Sequence, residues 1–543
     1  ASAERTQRAR RMPTRLDGYH VGAATAGPSD PKTYEDAMRS PKAGLWKDAM
    51  QKEIINMESN GAWELGTPPA GVTPIPAKTV FKTKVDPDGN VTKYKARLVV
   101  RGFLERWVAD VFAPASLITT VRTFLATAAA RDLELGSLDV DGAFLKGQLP
   151  PGTWIELPAY TRRYLSAAPA ERGPVTVHLK KAMYGLKIAP KVWYETLAAA
   201  LAQHGFKRTS VDPCLFTGTA PDGGPTYILV YVDDVLVASR TKEGVKQGVN
   251  AVLSEFEGRD LGEPTAFLGM KIERDRAQRT IKISQERHVR ELLERFNMTD
   301  CRPKSVPMAA GRVLAAEGEP LDTTVYPYTS LLGGLLYVST HSRPDISHAV
   351  GVLARYSQRP TTDHWSALKD VLRYLSGTAH LRLHLGGGGA SLQGWSDADW
   401  AGDVDSRRST TGFIFKLGDG AITWSSKRQN IVTVSTAEAE YTAACSATRE
   451  ALWLRQLARA LDFDVTGVPL MSDSQAAIAI SKNPIISTRT KHMDVRLHFL
   501  RERAAAGDVL LTYVPTGEML ADPLTKPVTE AKLSKMRAAW GLH

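Results

Sequence analysis

Two adjacent carboxylates, Asp233 and Asp234, interrupt the run Tyr227-Ile228-Leu229-Val230-Tyr231-Val232-Asp233-Asp234-Val235-Leu236-Val237-Ala238-Ser239. Strand formers flank them on both sides, which predicts a hairpin with the acids at its tight turn. Burying two like charges together is costly unless cations neutralise them. Aspartate is also a good turn residue, but a plain hairpin tip would have polar neighbours. These flanks are nearly all apolar, so a metal site is expected. Asp139, at the end of a predicted strand in Ser137-Leu138-Asp139-Val140-Asp141-Gly142-Ala143-Phe144-Leu145, is a third carboxylate in apolar surroundings. The three suit two hard divalent cations with oxygen ligands. Two such ions can activate a 3′-hydroxyl and stabilise leaving pyrophosphate in an in-line displacement.

A second carboxylate set follows Gly386-Gly387-Gly388-Gly389. Asp397 and Asp399 end a predicted strand, Glu438 and Glu440 open a long helix, Asp473 follows a strand, and Asp522 lies near the C-terminus. Glu438 and Glu440 are two apart on a helix and face different directions. Ser435 and Glu438 have capping-box spacing, which gives Glu438 a structural task and leaves Glu440 as the better ligand. Asp397 and Asp399 are two apart on a strand, so both could face a site. Asp473 could instead be a helix N-cap, and Asp522 a surface turn before Pro523. Each bland reading holds singly; all four together do not.

These residues need a large scaffold. With 543 residues the chain should hold roughly three or four domains. Its three cysteines, Cys214, Cys301 and Cys445, show neither zinc spacing nor a disulfide framework, and suit a reducing compartment. The formal net charge of +11 suits a polyanionic partner. No apolar run is long enough to span a bilayer, and no secretory signal opens the chain. The start, Ala-Ser-Ala-Glu-Arg, is expected to be an internal cut from something longer.

Residues 1–30, with five arginines, read as a disordered basic arm: a solvated linker, or a nuclear-localisation or nucleic-acid-binding tail. Helical pattern covers 34–58, 118–131, 190–204 and 285–297, with Gly205 as a stop. Residues 78–100 read as a hairpin turning at Asp86-Pro87-Asp88-Gly89, and 135–140 as a strand. A Pro/Ala/Gly-rich stretch at 303–323 is a linker candidate, and two helical patterns follow in 325–380. The four glycines read as a flexible linker. Beyond them the expected order is strand, hairpin, long helix, strand, helix, helix, strand, helix, an α/β unit of about 150 residues. No internal repeats are seen.

The segments Trp46-Lys47-Asp48-Ala49-Met50, Tyr94-Lys95-Ala96-Arg97-Leu98-Val99, Leu138-Asp139-Val140 through Leu145, Tyr184-Gly185-Leu186-Lys187 and Tyr231-Val232-Asp233-Asp234 occur in one order. In that order the chain resembles the reverse transcriptase–RNase H region of a copia-type LTR retrotransposon Pol polyprotein. The resemblance implies an α+β fold: a right-hand polymerase with fingers and palm in 31–260, thumb and linker in 261–323 and a connection in 324–385. An α/β RNase H-like domain would fill 390–543. It implies Asp139, Asp233 and Asp234 as polymerase metal carboxylates, and Phe144 as the ring that blocks a ribose 2′-hydroxyl. A core Phe is the plain alternative. Lys95 and Arg97 match residues that grip the incoming triphosphate, with a solvated strand face as alternative. Gly185 and Lys187 lie in a matching substrate-binding motif, and Phe267-Leu268-Gly269-Met270 resembles a primer-holding segment.

The order Asp397, Glu440, Asp473, Asp522 resembles RNase H, another two-metal phosphodiester enzyme, with Asp399 a minor alternative to Asp397. Arg489-Thr490-Lys491-His492-Met493-Asp494-Val495-Arg496 matches a late basic segment, either a hybrid contact or a solvated helix face. Arg343-Pro344-Asp345-Ile346 and His364-Trp365 match the connection and read as packing. Implied cofactors are Mg²⁺, or Mn²⁺ in vitro, with two ions per site. Implied partners are an RNA template, a DNA primer, RNA–DNA hybrid, dNTPs and other Pol or Gag products, with no membrane. The implied location is a cytoplasmic virus-like particle, with the nucleus as a second expectation. Two departures, Ile188 where the family has Gln and a stretch between Gly102 and Pro114 shorter by about three residues, set two alternatives beside the polymerase and RNase H reading: a catalytically decayed nucleic-acid-binding remnant, and an RNase H active with polymerase lost.

Overall fold

The computed structural model describes residues 30–85, 91–105, 110–167, 173–389, 391–482 and 494–543. The basic arm up to Ser29, the Asp86–Gly89 turn and residues 489–493 of the basic patch lie outside them.

A six-stranded antiparallel sheet carries the Asp-Asp hairpin. Its order is Gly258–Gly262, Glu134–Val140, Asp234–Ser239, Pro225–Tyr231, Leu215–Thr219, Lys207–Arg208. Alternation along its central strands sends side chains into two different cores. Ile228, Val230, Val235 and Val237 pack with Trp193 and Leu197 of helix Ala189–Gln203 and with Val249 and Val252 of helix Lys242–Leu253. Tyr227, Leu229, Leu236 and Ala238 pack on the other face with Phe124 and Leu125 of helix Ile118–Ala130. Both faces are covered, which is why the sequence around the acids is continuously apolar rather than alternating.

A five-stranded sheet ordered Trp63–Leu65, Val175–Leu179, Trp154–Leu157, Ile75–Val85, Val91–Val100 extends the long 75–100 hairpin. A four-stranded sheet joins Ala266–Phe267, Met270–Asp275, Thr280–Ser284 and Leu383–Gly386. The last sheet runs Gly420–Arg428, Thr410–Leu417, Leu392–Asp399, Val468–Ser472, Val509–Tyr513. Its first three strands are antiparallel, and Val468–Ser472 and Val509–Tyr513 are added in parallel. Helix Thr436–Ala460 packs against it, and the element order is the one expected after the glycines.

Three local differences have physical causes. The 34–58 helix is two helices, Tyr34–Arg39 and Ala43–Ser59, because Pro41 pushes Ser40 to extended backbone at ψ 150°. The 303–323 stretch has no helix, yet it is fastened: Arg312 and Lys304 both pair with Asp370, at 2.6 and 2.7 Å. The glycine run is a correction. Gly386 ends a strand paired to Thr280, and a Cβ there would meet the Arg279 carbonyl at 2.7 Å. All four glycines have positive φ, so the run is a packed turn that only glycine fits rather than a flexible linker.

One hydrophobic core runs from Phe124 through Leu335 and Tyr374 to Phe415 and Trp540, so the last sheet is fused to the underside of the six-stranded one. Arg122 crosses this junction fully buried. Its guanidinium donates to the carbonyls of Ile422 (2.6 Å), Thr340 (2.6 Å) and His341 (2.9 Å) and lies 3.9 Å over the Trp424 ring. Arg343 and Asp345 form a buried pair at 2.7 Å, with the Tyr374 hydroxyl donating to Asp345. His364 accepts from the Thr361 backbone N–H in a capping box and stacks on Tyr356. Both motifs expected to be packing are packing.

Candidate active sites

Asp234 and Asp139 are direct cross-strand partners. Val232 and Asp233 form the two-residue loop between Tyr231 and Asp234. Val232 has φ +58°, a strained conformation for a β-branched residue. The turn is pinned from both sides: the Trp193 indole N–H donates to the Val232 carbonyl at 2.7 Å, and the Val140 N–H donates to the Asp233 carbonyl at 3.1 Å. All three acids thus meet at one end of the sheet. Burial, then the charges of Asp233 and Asp139, push the Asp234 carboxyl up to about 7. Burial raises Asp233 as well, while Arg97 and Lys95 pull it back. Arg259, opposite Asp139 in register, donates to its carboxylate at 2.7 Å.

Lys95 and Arg97 project from one face of the 75–100 hairpin toward this cluster. On that face Lys82 stands opposite Lys95, and Lys84 opposite Lys93. Like charges directly opposed are destabilising, and Lys82 is paired with Asp30 at 3.1 Å. Burial and then Arg97 hold the Lys95 ammonium below its usual range. The Arg97 guanidinium lies 4.4 Å over the Tyr184 ring, and Phe144 meets the same ring edge-on at 4.8 Å. Phe144 is half-buried against two cores. Gly185, at φ +93°, and Gly102 each sit where a Cβ would strike a backbone carbonyl at 2.0 Å. Lys187 turns away: its backbone N–H and its ammonium both bond Glu105, at 3.0 Å each. Ile188 is half-buried against the apolar cluster that holds Leu186 and Ala189. The 267–270 segment is a tight hairpin with positive φ at Leu268 and Gly269, and the Tyr337 hydroxyl donates to the Leu268 carbonyl at 2.6 Å.

The second cluster sits where the parallel strand is added to the last sheet. Asp397 lies in strand Leu392–Asp399, Glu440 on the first turns of helix Thr436–Ala460, and Asp473 just past Val468–Ser472. One oxygen from each lies within 4.8 Å of the others. Glu438 has the structural task expected: its N–H donates to the Ser435 hydroxyl at 3.2 Å, and its carboxylate accepts from the Val434 N–H at 2.7 Å. Burial, then the charges of Asp397 and Asp473, hold the Glu440 carboxyl well above the usual range, and its Oε2 is buried without a hydrogen-bond partner. Asp397 is raised by burial and accepts from the Thr525 hydroxyl. Asp473 accepts from Thr516 at 2.8 Å. Asp522 is not one of this trio. It is buried, and its two oxygens are held by the ammonium groups of Lys526 and Lys532, each at 2.7 Å. Asp399 is half-buried and raised by burial.

The Asp397–Glu440–Asp473 set fits a hard divalent cation: its donors are carboxylate oxygens only, and Glu440 Oε2 is a buried acceptor lacking a donor. Sequence reasoning missed Arg259, Lys526 and Lys532. Arg259 is 120 residues from its partner, and nothing in local pattern pairs them.

Residues 60–310 match the family described as reverse transcriptase (RNA-dependent DNA polymerase). The chain is 37% identical over 525 residues to the retrovirus-related Pol polyprotein from transposon TNT 1-94 of Nicotiana tabacum, a match covering 95% of this chain and 39% of that protein. It is 35% identical over 517 residues to the Pol polyprotein from transposon RE2 of Arabidopsis thaliana, covering 94% of this chain and 35% of that protein. The chain therefore spans little more than a third of the length of these curated relatives. The foamy viral protease-reverse transcriptase dRH, solved in complex with ds DNA, shares the fold at a TM-score of 0.50 and 14% identity, over 87% of this chain and 70% of that one. With its Tyr-Val-Asp-Asp hairpin, its matched profile and these relatives, the chain belongs to the reverse transcriptase family of copia-type retrotransposon Pol polyproteins.

Proposed function

We propose that the chain is an RNA- and DNA-directed DNA polymerase that also cleaves the RNA strand of RNA–DNA hybrids, serving retrotransposon replication. The observation that carries the polymerase reading is the meeting of Asp139, Asp233 and Asp234 at one sheet end, facing Lys95 and Arg97. In this reading the 75–100 hairpin belongs to the fingers, the six-stranded sheet is the palm, and residues 390–543 are an RNase H domain. Support for the last is the sheet order, three antiparallel strands with two added in parallel, and the Asp397–Glu440–Asp473 trio.

Asp139, Asp233 and Asp234 would hold divalent cations, Mg²⁺ or Mn²⁺, which when bound supply Lewis acidity to the primer 3′-hydroxyl and the dNTP phosphates. Lys95 and Arg97 bind the triphosphate. The Tyr184 ring fixes the Arg97 plane and also backs Phe144, whose ring edge excludes a ribose 2′-hydroxyl. Leu268 and Gly269 present the primer end. In the second site Asp397, Glu440 and Asp473 would hold the cation that serves hydrolysis of the RNA phosphodiester. The partners of this reading are a primed RNA or DNA template, dNTPs and other Pol and Gag products, in a cytoplasmic particle.

Ile188 lacks the donor that a Gln would offer. Its side chain is half-buried against apolar neighbours. Extension of a DNA primer on an RNA template with dNTPs and Mg²⁺ tests the reading. Wild type should extend, and Asp233→Asn should lose at least about 10²-fold in rate. No extension with hybrid RNA still cut would leave an RNase H alone, and binding with neither activity would leave only a binding protein.

A further inference from the structure

Strands Ala266–Phe267 and Met270–Asp275 pair through Phe267 and Met270, so Leu268 and Gly269 form a two-residue loop. Both loop residues have positive φ, +48° at Leu268 and +73° at Gly269. Such a loop favours Asn, Asp or Gly at its first position, and a leucine is strained there. The residues on either side, Phe267 and Met270, are buried in the core. At the tip, the Leu268 carbonyl accepts from the Tyr337 hydroxyl at 2.6 Å. Tyr337 stands on helix Tyr328–His341, 69 residues further along the chain. Its ring lies 4.8 Å from the His288 ring, edge-on, and 4.4 Å from the His341 ring. Two packed neighbours thus hold the direction of the hydroxyl.

The root of that side chain is held as well. A helix end leaves carbonyls without partners inside the helix. Here Arg122 donates to those of Thr340 and His341, at 2.6 and 2.9 Å, and the Trp424 indole N–H donates to that of Ser339 at 2.9 Å. Arg122 belongs to helix Ile118–Ala130, which packs on the six-stranded sheet through Phe124 and Leu125. A path of direct contacts therefore runs from the sheet that bears Asp139, Asp233 and Asp234 to the Leu268 carbonyl, by way of Arg122 and the 337–341 turn. We propose that Tyr337 is a positioning residue of the polymerase. Its hydroxyl sets where the Leu268–Gly269 loop stands relative to that sheet, and so where a primer 3′ end lies. The inference rests on the reading of the loop as the primer-holding segment, and it names what holds the loop. Strain at Leu268 favours relaxation of the loop, and a hydrogen bond from an immobile helix end opposes it. Lys95 and Arg97 lie off this path, so dNTP binding is independent of Tyr337 and the incorporation step is not.

The test compares Tyr337→Phe with Tyr328→Phe in single-nucleotide incorporation on a primed RNA template with Mg²⁺. Each variant removes one hydroxyl from the same helix. That of Tyr328 donates at 2.8 Å to the Leu353 carbonyl on helix Ser347–Ala354 rather than to the hairpin. Tyr337→Phe should lower kcat about tenfold, the worth of one such bond, with KM for dNTP within about twofold of wild type. Its circular dichroism should match wild type. Tyr328→Phe should extend within about threefold of wild type. Equal extension by wild type and Tyr337→Phe overturns the proposal. An equal loss in both variants overturns it too, as does a Tyr337→Phe protein that does not fold, since either gives the hydroxyl a packing role alone. Wild type that fails to extend defeats the polymerase reading itself, a result distinct from failure of Tyr337 alone.

Discussion

Gly185 offers the sharpest perturbation of the polymerase site, because a side chain there would strike strand Val91–Val100 directly. A Cβ at 185 would lie 2.0 Å from the Val100 carbonyl oxygen and 2.7 Å from Val99 Cγ1. Close-packed interiors do not hold such contacts, so the Tyr184–Gly185 turn and the end of strand Val91–Val100 must separate by about 1 Å. The Val100 N–H to Tyr184 carbonyl bond, 2.8 Å long, is then lost at about 1 kcal/mol. The φ of +93° adds roughly 1–2 kcal/mol for any residue with a Cβ. Gly102→Ala isolates the steric part, since its Cβ would meet the Gly185 carbonyl at 2.0 Å without a positive φ. The strand that moves carries Lys95 and Arg97, and the turn carries Tyr184, on which Arg97 and Phe144 rest. A displacement near 1 Å at reacting groups costs on the order of 10²-fold in rate. Single-nucleotide incorporation should show kcat/KM for dNTP falling by about that factor in both variants, with much of the loss in KM. Hybrid cleavage in the same preparations should stay within about threefold of wild type, as distant sites act independently. Extension by Gly185→Ala within threefold of wild type would refute the reasoning, as would equal loss of both activities.

Three further outcomes are expected. Burial lowers His341 to about 4 and His348 to about 3, so both fold neutral, while the unfolded chain takes up protons below about pH 6.5. Stability should therefore be full above pH 6.5 and fall as pH drops toward 4, by about 1–2 kcal/mol per histidine at pH 5. Urea unfolding of wild type and His348→Gln across pH 5–7.5 checks this, the variant showing the shallower slope. Ile188→Gln should lower KM for dNTP several-fold with kcat little changed, read by steady-state incorporation. Phe144→Val should raise ribonucleotide incorporation at least about tenfold relative to dNTP, and equal discrimination in both proteins would return Phe144 to a packing role.

The legible part of this protein is what depends on short-range pattern. The strand formers around Asp233 and Asp234 pointed to a hairpin with the acids at its turn, and the 435–438 spacing to a capping task for Glu438, both of which the structure shows. The order of elements after the glycines followed from periodicity alone. Illegible features depend on contacts between distant segments. Arg259 meets Asp139 only because their strands pair, and Asp522 meets Lys532 only through the packing of the last helix. The four glycines misled because composition does not distinguish a free linker from a positive-φ turn whose first three residues are crowded by neighbours. Asp419 and the Arg279 carbonyl fill the space that side chains would need. Asp522 is expected as a ligand from its order along the chain; its pairing with Lys526 and Lys532 shows only in space.

The central claim is that one chain carries two separable carboxylate sites. The direct measurement is primer extension and hybrid-RNA cleavage in one reaction with Mg²⁺, for wild type, Asp234→Asn and Asp397→Asn. Asp234→Asn should lose extension and retain cleavage, and Asp397→Asn should do the reverse. Loss of both activities in either folded variant, or of neither in both, would contradict it.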